Sequence, residues 1–175
     1  MQLGQVLDIV EGVLAAGEHP DIVKIERYGS GVEPWGPSAE RSRTSTIAGV
    51  RATYASTSTA MIWGAVWPGE KPIPLPDQMP PISDRSARLA VFVVQLFDAA
   101  RPAALKSWQL VALPDLGPTE ARGAWPTGVS VVAADGTKML LRCSSTGATL
   151  GDEPASDPHP DYVIPGGIAE RIGAA

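Results

Sequence analysis

The sequence predicts an α+β fold in which two long helices pack on a mainly antiparallel sheet, with the elements in the order α-β-β-β-α-β-β-β. Two segments repeat apolar residues at the spacing of an amphipathic helix, and the segments that follow each of them are short, β-branched and separated by turn-forming residues. A length of 175 residues and an apolar fraction of 44% suit one folded core of ordinary size.

The first helix is predicted over residues 2–16, where apolar residues recur at intervals of three and four. Gly17 follows in the position of a left-handed C-terminal residue. Residues 22–28 (IVKIERY) predict a strand, because they include β-branched side chains and stop at Gly29. The length of the next segment, residues 29–45, predicts a long loop.

A first β-hairpin is predicted from residues 47–54 and 60–67, around a turn at 56–58. Side chains alternate along a strand, so Trp63 and Trp67 share one face. Tryptophan is enriched at binding hot spots, and we interpret both residues as candidate binding residues. An ordinary role in the core or as a loop anchor is the alternative, because each ring must hide a large area.

The proline-rich segment 70–83 predicts an extended, semi-rigid connector between two halves, residues 1–69 and 84–150. Both halves have the order helix, strand, long tryptophan-containing loop and hairpin, within a single domain spanning 1–150. This order favours an α-β-β-β duplication, and a chance succession of two common units is the alternative. One six-stranded sheet and two packed three-stranded sheets both satisfy the pattern.

The second helix is predicted over residues 84–101, the longest apolar-periodic segment of the chain. Ser83 or Asp84 can cap its first turn, and Pro102 follows its end. Beyond the main apolar stripe, Val91 and Val94 lie on a second flank among polar residues. This flank predicts a second neighbour, either in the same chain or in a partner, so both valines are candidate binding residues.

The second half predicts a strand over residues 105–113 and then a hairpin. Residues 129–134 and 137–143 flank Asp135-Gly136, a dipeptide typical of a two-residue turn in which both positions have positive φ. The hairpin completes the second half.

The remaining segment, 151–175, is predicted to be an acidic, turn-rich tail with at most a short helix over 167–174. Asp157, His159 and Asp161 offer metal-ligating groups, but the intervening prolines place them on alternate sides of an extended chain. No recognised metal or nucleotide motif is present. We therefore predict a solvated tail, no metal site and no cofactor.

Cys143 is the only cysteine and the only visible nucleophile. A reactive thiol would need His19 or His159 within reach to lower its pKa. A small, half-buried apolar residue is the interpretation that we favour. No catalytic residue is therefore predicted, although whether the chain is an enzyme stays open.

The charge balance opposes binding to nucleic acid or to an anionic membrane surface. The chain has 14 Lys plus Arg against 19 Asp plus Glu, which gives a net charge of −5. No apolar run reaches the ~20 residues that a bilayer requires. The single cysteine and the lack of a leader pattern predict a cytoplasmic protein, and the composition suggests a bacterial source.

These observations predict a non-enzymatic protein-binding or assembly module that acts through an apolar, tryptophan-containing surface on a protein partner or on a second copy. The order of elements is similar to that of secretion chaperones, so a chaperone-like role is one form of this prediction. A structural component of a phage or mobile element is another. The alternatives are a small enzyme centred on Cys143 and a domain that binds a small ligand between helix and sheet.

Overall fold

The computed structural model describes residues 1–29, 48–56, 58–66, 69–114, 126–146 and 156–172. Within these ranges the chain forms three helices and one seven-stranded antiparallel sheet, which confirms the predicted α+β class. The helices are α1 (Leu3–Gly17), α2 (Arg85–Ala100) and α3 (Ile168–Ile172). The strands are β1 (Ile22–Tyr28), β2 (Gly49–Tyr54), β3 (Thr59–Ala65), β4 (Lys71–Pro72), β5 (Leu105–Ala112), β6 (Thr127–Ala133) and β7 (Lys138–Thr146).

The strands form a single sheet in the order β1-β2-β3-β7-β6-β5-β4. At its centre β3 pairs with β7, from Thr59 opposite Thr146 to Ala65 opposite Leu140. The three long strands of each half therefore run outward from this pair in the same order. Within the proline-rich connector, β4 pairs with β5 at the edge of the sheet, where a proline is tolerated.

Asp84, one of the two predicted caps, begins α2, and the helix ends before Pro102 as predicted, through a left-handed residue that was not predicted. Asp84 caps the first turn by accepting a hydrogen bond from the Ala87 N–H at 3.1 Å. At the other end Arg101 adopts a left-handed conformation with φ 47°, and its N–H donates to the Phe97 carbonyl at 2.8 Å. Between these ends α2 contacts α1, α3 and four strands, so it lies at the centre of the main core.

The predicted C-terminus of α1 was wrong. Glu18 takes the left-handed conformation (φ 47°, ψ 38°), and Gly17 is the last helical residue. A Cβ atom on Gly17 would lie 2.9 Å from Leu96 Cδ2 and 3.2 Å from Phe92 Cζ. Glycine is therefore needed here for the close approach of α1 to α2, a requirement that the local sequence does not reveal.

The β6–β7 hairpin is present, but its turn is longer than predicted. Gly136 has positive φ (85°) and Asp135 does not. The Gly136 N–H donates to the Ala133 carbonyl at 2.9 Å, and the Ala133 N–H donates to the Thr137 carbonyl at 2.9 Å. Asp135 also accepts a hydrogen bond from the Thr137 N–H at 2.9 Å. The side chain of Asp135 thus stabilises a three-residue turn that needs only one left-handed residue.

The two faces of the sheet differ. One face and the three helices together form the main core, which includes Ile62, Leu141 and most of the apolar residues of α2. The other face carries a smaller buried cluster to which no described helix contributes: Trp63, Ala65, Val111, Leu113 and Leu140. In the described part of the chain, no helix has the length and apolarity needed to cross a bilayer.

Candidate functional site

Three of the four residues predicted as binding residues lie in the described part of the chain, and all three are buried. The exposed fractions are 2% for Val91, 4% for Val94 and 5% for Trp63, while Trp67 lies outside the described residues. Both valines belong to the main core, where α2 packs against α1 and α3. The second flank of α2 therefore meets its own chain, and neither valine offers an exposed side chain for binding.

Trp63 lies on the opposite face of the sheet from these valines. It pairs with Arg142 of β7, while Met61 pairs with Arg51 of β2. Directly paired side chains of antiparallel strands point to the same side, so these four residues share one face. With two neighbours on that face they form a group that we call the arginine–tryptophan patch: Tyr28, Arg51, Met61, Trp63, Arg142 and Ser144.

Aromatic rings hold the two arginines of the patch. The guanidinium carbon of Arg142 lies 5.2 Å from the centroid of the Trp63 ring, and that of Arg51 lies 5.6 Å from the Tyr28 ring. The Trp63 indole N–H donates to Ser144 Oγ at 3.0 Å, which fixes the orientation of the indole ring. The guanidinium of each arginine thus lies over an aromatic ring of the patch.

Gly49 makes room for the aromatic side chains of the patch. A Cβ atom at this position would lie 2.5 Å from Tyr28 Oη, 2.7 Å from Trp63 Cβ and 2.5 Å from the Ile62 carbonyl oxygen. Only glycine lets the Tyr28 ring reach across β2 toward Trp63. The sequence alone did not point to this contact, because it depends on the register of three strands.

Among the described residues no carboxylate lies within ion-pair distance of either arginine, although the pKa of Glu26 is lowered by its hydrogen bond to Lys24 and also by the charge of Arg51. Three buried polar groups of the patch have no hydrogen-bond partner among the described residues: the Nε–H of Arg51, the Nε–H of Arg142 and the hydroxyl of Tyr28. Glu26 lies opposite Arg51 in β1, but its carboxylate pairs with Lys24 at 2.7 Å. Both arginines are partly exposed, and a buried guanidinium nitrogen without a hydrogen-bond partner is unfavourable. Such a pair of arginines is typical of a site that receives an anion.

Burial also changes the proton affinities in the patch. It lowers the pKa of the Arg142 guanidinium and raises the pKa of Tyr28 to about 12. Tyr28 is therefore a neutral phenol at neutral pH and remains able to donate a hydrogen bond. The patch thus combines two cations and a hydroxyl donor, all suited to an acceptor group.

A second polar cluster joins the tail to α2, and we call it the arginine clamp: Asp21, Arg85, Arg88 and Asp157. Arg85 donates to Asp21 Oδ2 at 3.0 Å and to Ser56 Oγ at 2.7 Å, with its guanidinium carbon 4.2 Å from the Tyr54 ring centroid. The side chains of Arg85 and Asp21 are only 2% and 6% exposed. This ion pair is part of the interior and holds the chain after α1 against the start of α2.

Arg88 attaches the tail to the same helix. It donates to Asp157 Oδ2 at 2.7 Å and to the Pro80 carbonyl at 2.9 Å. In the same tail the Tyr162 hydroxyl donates to the Gly17 carbonyl, and Ile168 is buried. Asp157, Tyr162 and Ile168 therefore attach residues 156–172 to the helices, while much of this segment is exposed, including Val163 at 80%.

His19 fills the space between the clamp and the tail. Its ring centroid lies 4.3 Å from that of Tyr162, 5.1 Å from that of Phe92 and 5.9 Å from that of His159. His19 Nδ1 accepts a hydrogen bond from the Asp21 N–H at 3.1 Å. Burial, reinforced by the charge of Arg88, lowers the pKa of His19 to about 4, so the folded protein holds a neutral imidazole.

The stability of the fold is expected to fall in mild acid because of His19. A lowered pKa in the folded state means that the contribution is complete above the ordinary value of 6.5 and is lost as the pH falls toward about 4. Between about pH 7.5 and about pH 5, urea unfolding should show a loss of about 2 kcal/mol from this group. His19→Asn keeps an acceptor for the Asp21 N–H and does not titrate, so it should flatten this dependence. An equal pH dependence in the variant and the wild type would assign it to other groups.

Cys143 does not have the surroundings of a nucleophile. It is 2% exposed, and burial raises the pKa of its thiol far above the ordinary value. Arg142 is the charged group that acts on this thiol, and both histidines lie in or beside the clamp. A protonated, buried thiol argues against the alternative of an enzyme centred on Cys143.

Metal ligands are likewise not brought together in the described ranges, where no group of three or more His, Cys, Asp or Glu side chains could hold a metal ion. Asp157, His159 and Asp161 are the metal-ligating residues of the tail. Of these, Asp157 accepts one hydrogen bond from Arg88 and another from the His159 N–H at 2.9 Å. Its carboxylate therefore serves the arginine clamp.

A pocket of about 510 Å³ lies where the start of α1 meets the β6–β7 hairpin. Its volume is within the range of small-molecule sites. Ser130 donates to Glu70 Oε1 at 3.1 Å on its polar side. The residues that line it are mainly apolar: Met1, Leu3, Ala65, Val66, Met139 and Leu140, with Gln2, Glu70, Ser130, Thr137 and Lys138.

The fold and these sites define the chain as an α+β domain with one antiparallel sheet, helices on one face and an arginine–tryptophan patch on the other. No protein-family model, curated protein or solved structure matches this chain.

Proposed function

We propose that this chain is a non-enzymatic protein-binding module that receives its partner on the arginine–tryptophan patch. The observation that carries the proposal is a group of partly exposed side chains, Tyr28, Arg51, Met61 and Arg142, which surround the buried Trp63 on a sheet face to which no described helix contributes. Trp, Tyr, Met and Arg are the residue types enriched in interfaces, and Trp, Tyr and Arg dominate binding hot spots. Val91 and Val94 are not part of the proposed binding surface, because both are buried in the main core.

A protein partner suits this patch better than a second copy bound in the same way. Two copies related by a two-fold axis through the patch would bring four guanidinium groups into one interface, and like charges in an interface are unfavourable. Any self-association of this chain would therefore use a surface other than the patch. A cytoplasmic location belongs to the same proposal, and a single, buried Cys143 suits a reducing compartment.

Affinity capture from the host that encodes the chain tests this proposal. Met61→Asp places a carboxylate on the patch beside Arg51 without touching the main core, because Met61 is partly exposed and lies on the other face. We expect a defined protein to be enriched by the wild type and lost with this variant. Lys106→Gln, an exposed change on the same sheet, is the matched control and should retain the protein. Enrichment that is equal for both variants would place any binding elsewhere and overturn the proposal.

A second candidate function is the binding of a small, largely apolar molecule in the 510 Å³ pocket. Val66 is 49% exposed at its rim, so Val66→Trp can fill the pocket with little effect on the core. If the pocket binds such molecules, the environment-sensitive dye anilinonaphthalene sulfonate should gain fluorescence with the wild type and lose most of it with the variant. Equal fluorescence in both proteins would exclude the pocket as the dye site.

A further inference from the structure

We infer that the arginine–tryptophan patch recognises carboxylate side chains, so that the partner presents an acidic segment. This inference rests on the proposed function and names the chemistry of the partner. It starts from an imbalance in the described chain: two partly exposed guanidinium groups lie on one face with unbonded Nε atoms, and no carboxylate lies within ion-pair distance of them. The carboxylate on the neighbouring strand, that of Glu26, is bonded to Lys24.

The geometry favours an acceptor that lies across the sheet between the two arginines. Met61 and Trp63 are two residues apart on β3, with Arg51 paired to the first and Arg142 paired to the second. The two cations therefore flank the same pair of side chains from opposite neighbouring strands. A guanidinium presents its Nε–H and Nη–H as a planar fork, which a carboxylate can accept in a bidentate arrangement.

Tyr28 adds a third donor from the same side. Its hydroxyl is buried and has no hydrogen-bond partner among the described residues, and Gly49 permits its approach to Trp63. A carboxylate has two oxygens and about four acceptor positions, enough for one guanidinium fork together with a hydroxyl. An acidic segment with two carboxylates would occupy both arginines.

The rings of Trp63 and Tyr28 support this recognition by limiting solvent around the cations. Trp63 is 5% exposed, and each arginine lies over one of the two rings. Ion pairs formed in such partly desolvated surroundings are screened less by salt than pairs at an open surface. An acidic segment bound at the two arginines would therefore lie beside the aromatic rings of this chain, and salt would weaken its ion pairs less than those at an open surface.

Nuclear magnetic resonance of the arginine Nε–H groups tests the inference on the full chain. The probe is hexaglutamate, and hexaglutamine is the uncharged comparison. We expect saturable shifts of the Arg51 and Arg142 signals with hexaglutamate alone, and a loss of affinity of about tenfold or more for Arg142→Gln. Arg142→Lys keeps the charge but lacks the fork, so it should also weaken binding. Lys106→Gln should leave the affinity unchanged.

Three outcomes of the titration would overturn the inference: no shift with hexaglutamate, equal shifts with hexaglutamine, or the same loss for Lys106→Gln as for Arg142→Gln. Inorganic phosphate is titrated separately, and binding of phosphate without hexaglutamate would replace carboxylate by phosphate as the ligand. A partner that is captured independently of Arg51 and Arg142 would leave the proposed function in place and remove this inference. Hexaglutamate binding without any captured partner would keep this inference and remove the proposed function.

Discussion

Replacement of Asp21 by alanine is expected to lower the free energy of unfolding by about 3 kcal/mol or more, because it removes a carboxylate from an ion pair that is taken out of water. The side chains of Asp21 and Arg85 are 6% and 2% exposed and meet at 3.0 Å. Breaking a buried pair by removing one member takes away the carboxylate that meets the Arg85 guanidinium at 3.0 Å. Urea unfolding followed by tryptophan fluorescence measures the change.

The surface ion pair between Asp8 and Arg27 provides the matched control. The two side chains meet at 3.3 Å, but Asp8 is 68% exposed, so Asp8→Asn should lower the stability by about 0.5 kcal/mol or less. In the double variant Asp21→Ala with Arg85→Met, part of the loss should be recovered, since no buried charge is then left behind. Equal effects of Asp21→Ala and Asp8→Asn would mean that water reaches the Asp21–Arg85 pair.

Replacement of Asp157 by alanine is expected to release the tail from α2 and to lower the stability by about 2 kcal/mol or more. Asp157 accepts from Arg88 at 2.7 Å, and the Arg88 side chain is only 4% exposed. Without this carboxylate, Arg88 keeps the Pro80 carbonyl as its partner at 2.9 Å. Hydrogen exchange of residues 156–172, measured by mass spectrometry, should become faster.

Asp161→Ala is the control for the tail, because it removes a carboxylate four residues away from an exposed position. It should leave both the stability and the exchange of residues 156–172 unchanged. If Asp157→Ala behaves in the same way, the tail is held by Tyr162 and Ile168 and not by the ion pair.

The two arginine clusters lie on opposite sides of the sheet and differ in how their charges are balanced. Arg85 and Arg88 bind carboxylates of their own chain, at 3.0 Å and 2.7 Å. Arg51 and Arg142 lie over aromatic rings and have no such partner in the described part of the chain. Arginines paired with carboxylates of their own chain are typical of a structural role, and arginines without such a pair are typical of a binding role. We therefore propose the patch, and not the clamp, as the binding site.

Local patterns in the sequence determined the elements of the fold. The spacing of apolar residues predicted both long helices, and Asp84 correctly marked the start of α2, because a helix cap depends on side chains within one turn. The Asp135-Gly136 dipeptide predicted the second hairpin, although the turn proved one residue longer. These features are local, so short stretches of sequence contain the information.

Tertiary structure alone decided which of these residues meet. Trp63 was recognised as a candidate from its residue type, but Arg51, Arg142 and Tyr28 joined it only through the register of four strands. The same holds for Gly17, which is required by the packing of α2, and for the contact of Asp157 with Arg88, 69 residues apart in the sequence. The sequence by itself determined helices, strands and their order through interactions between near neighbours. The binding patch and the clamp arise from contacts between distant segments, which no single stretch of the chain encodes.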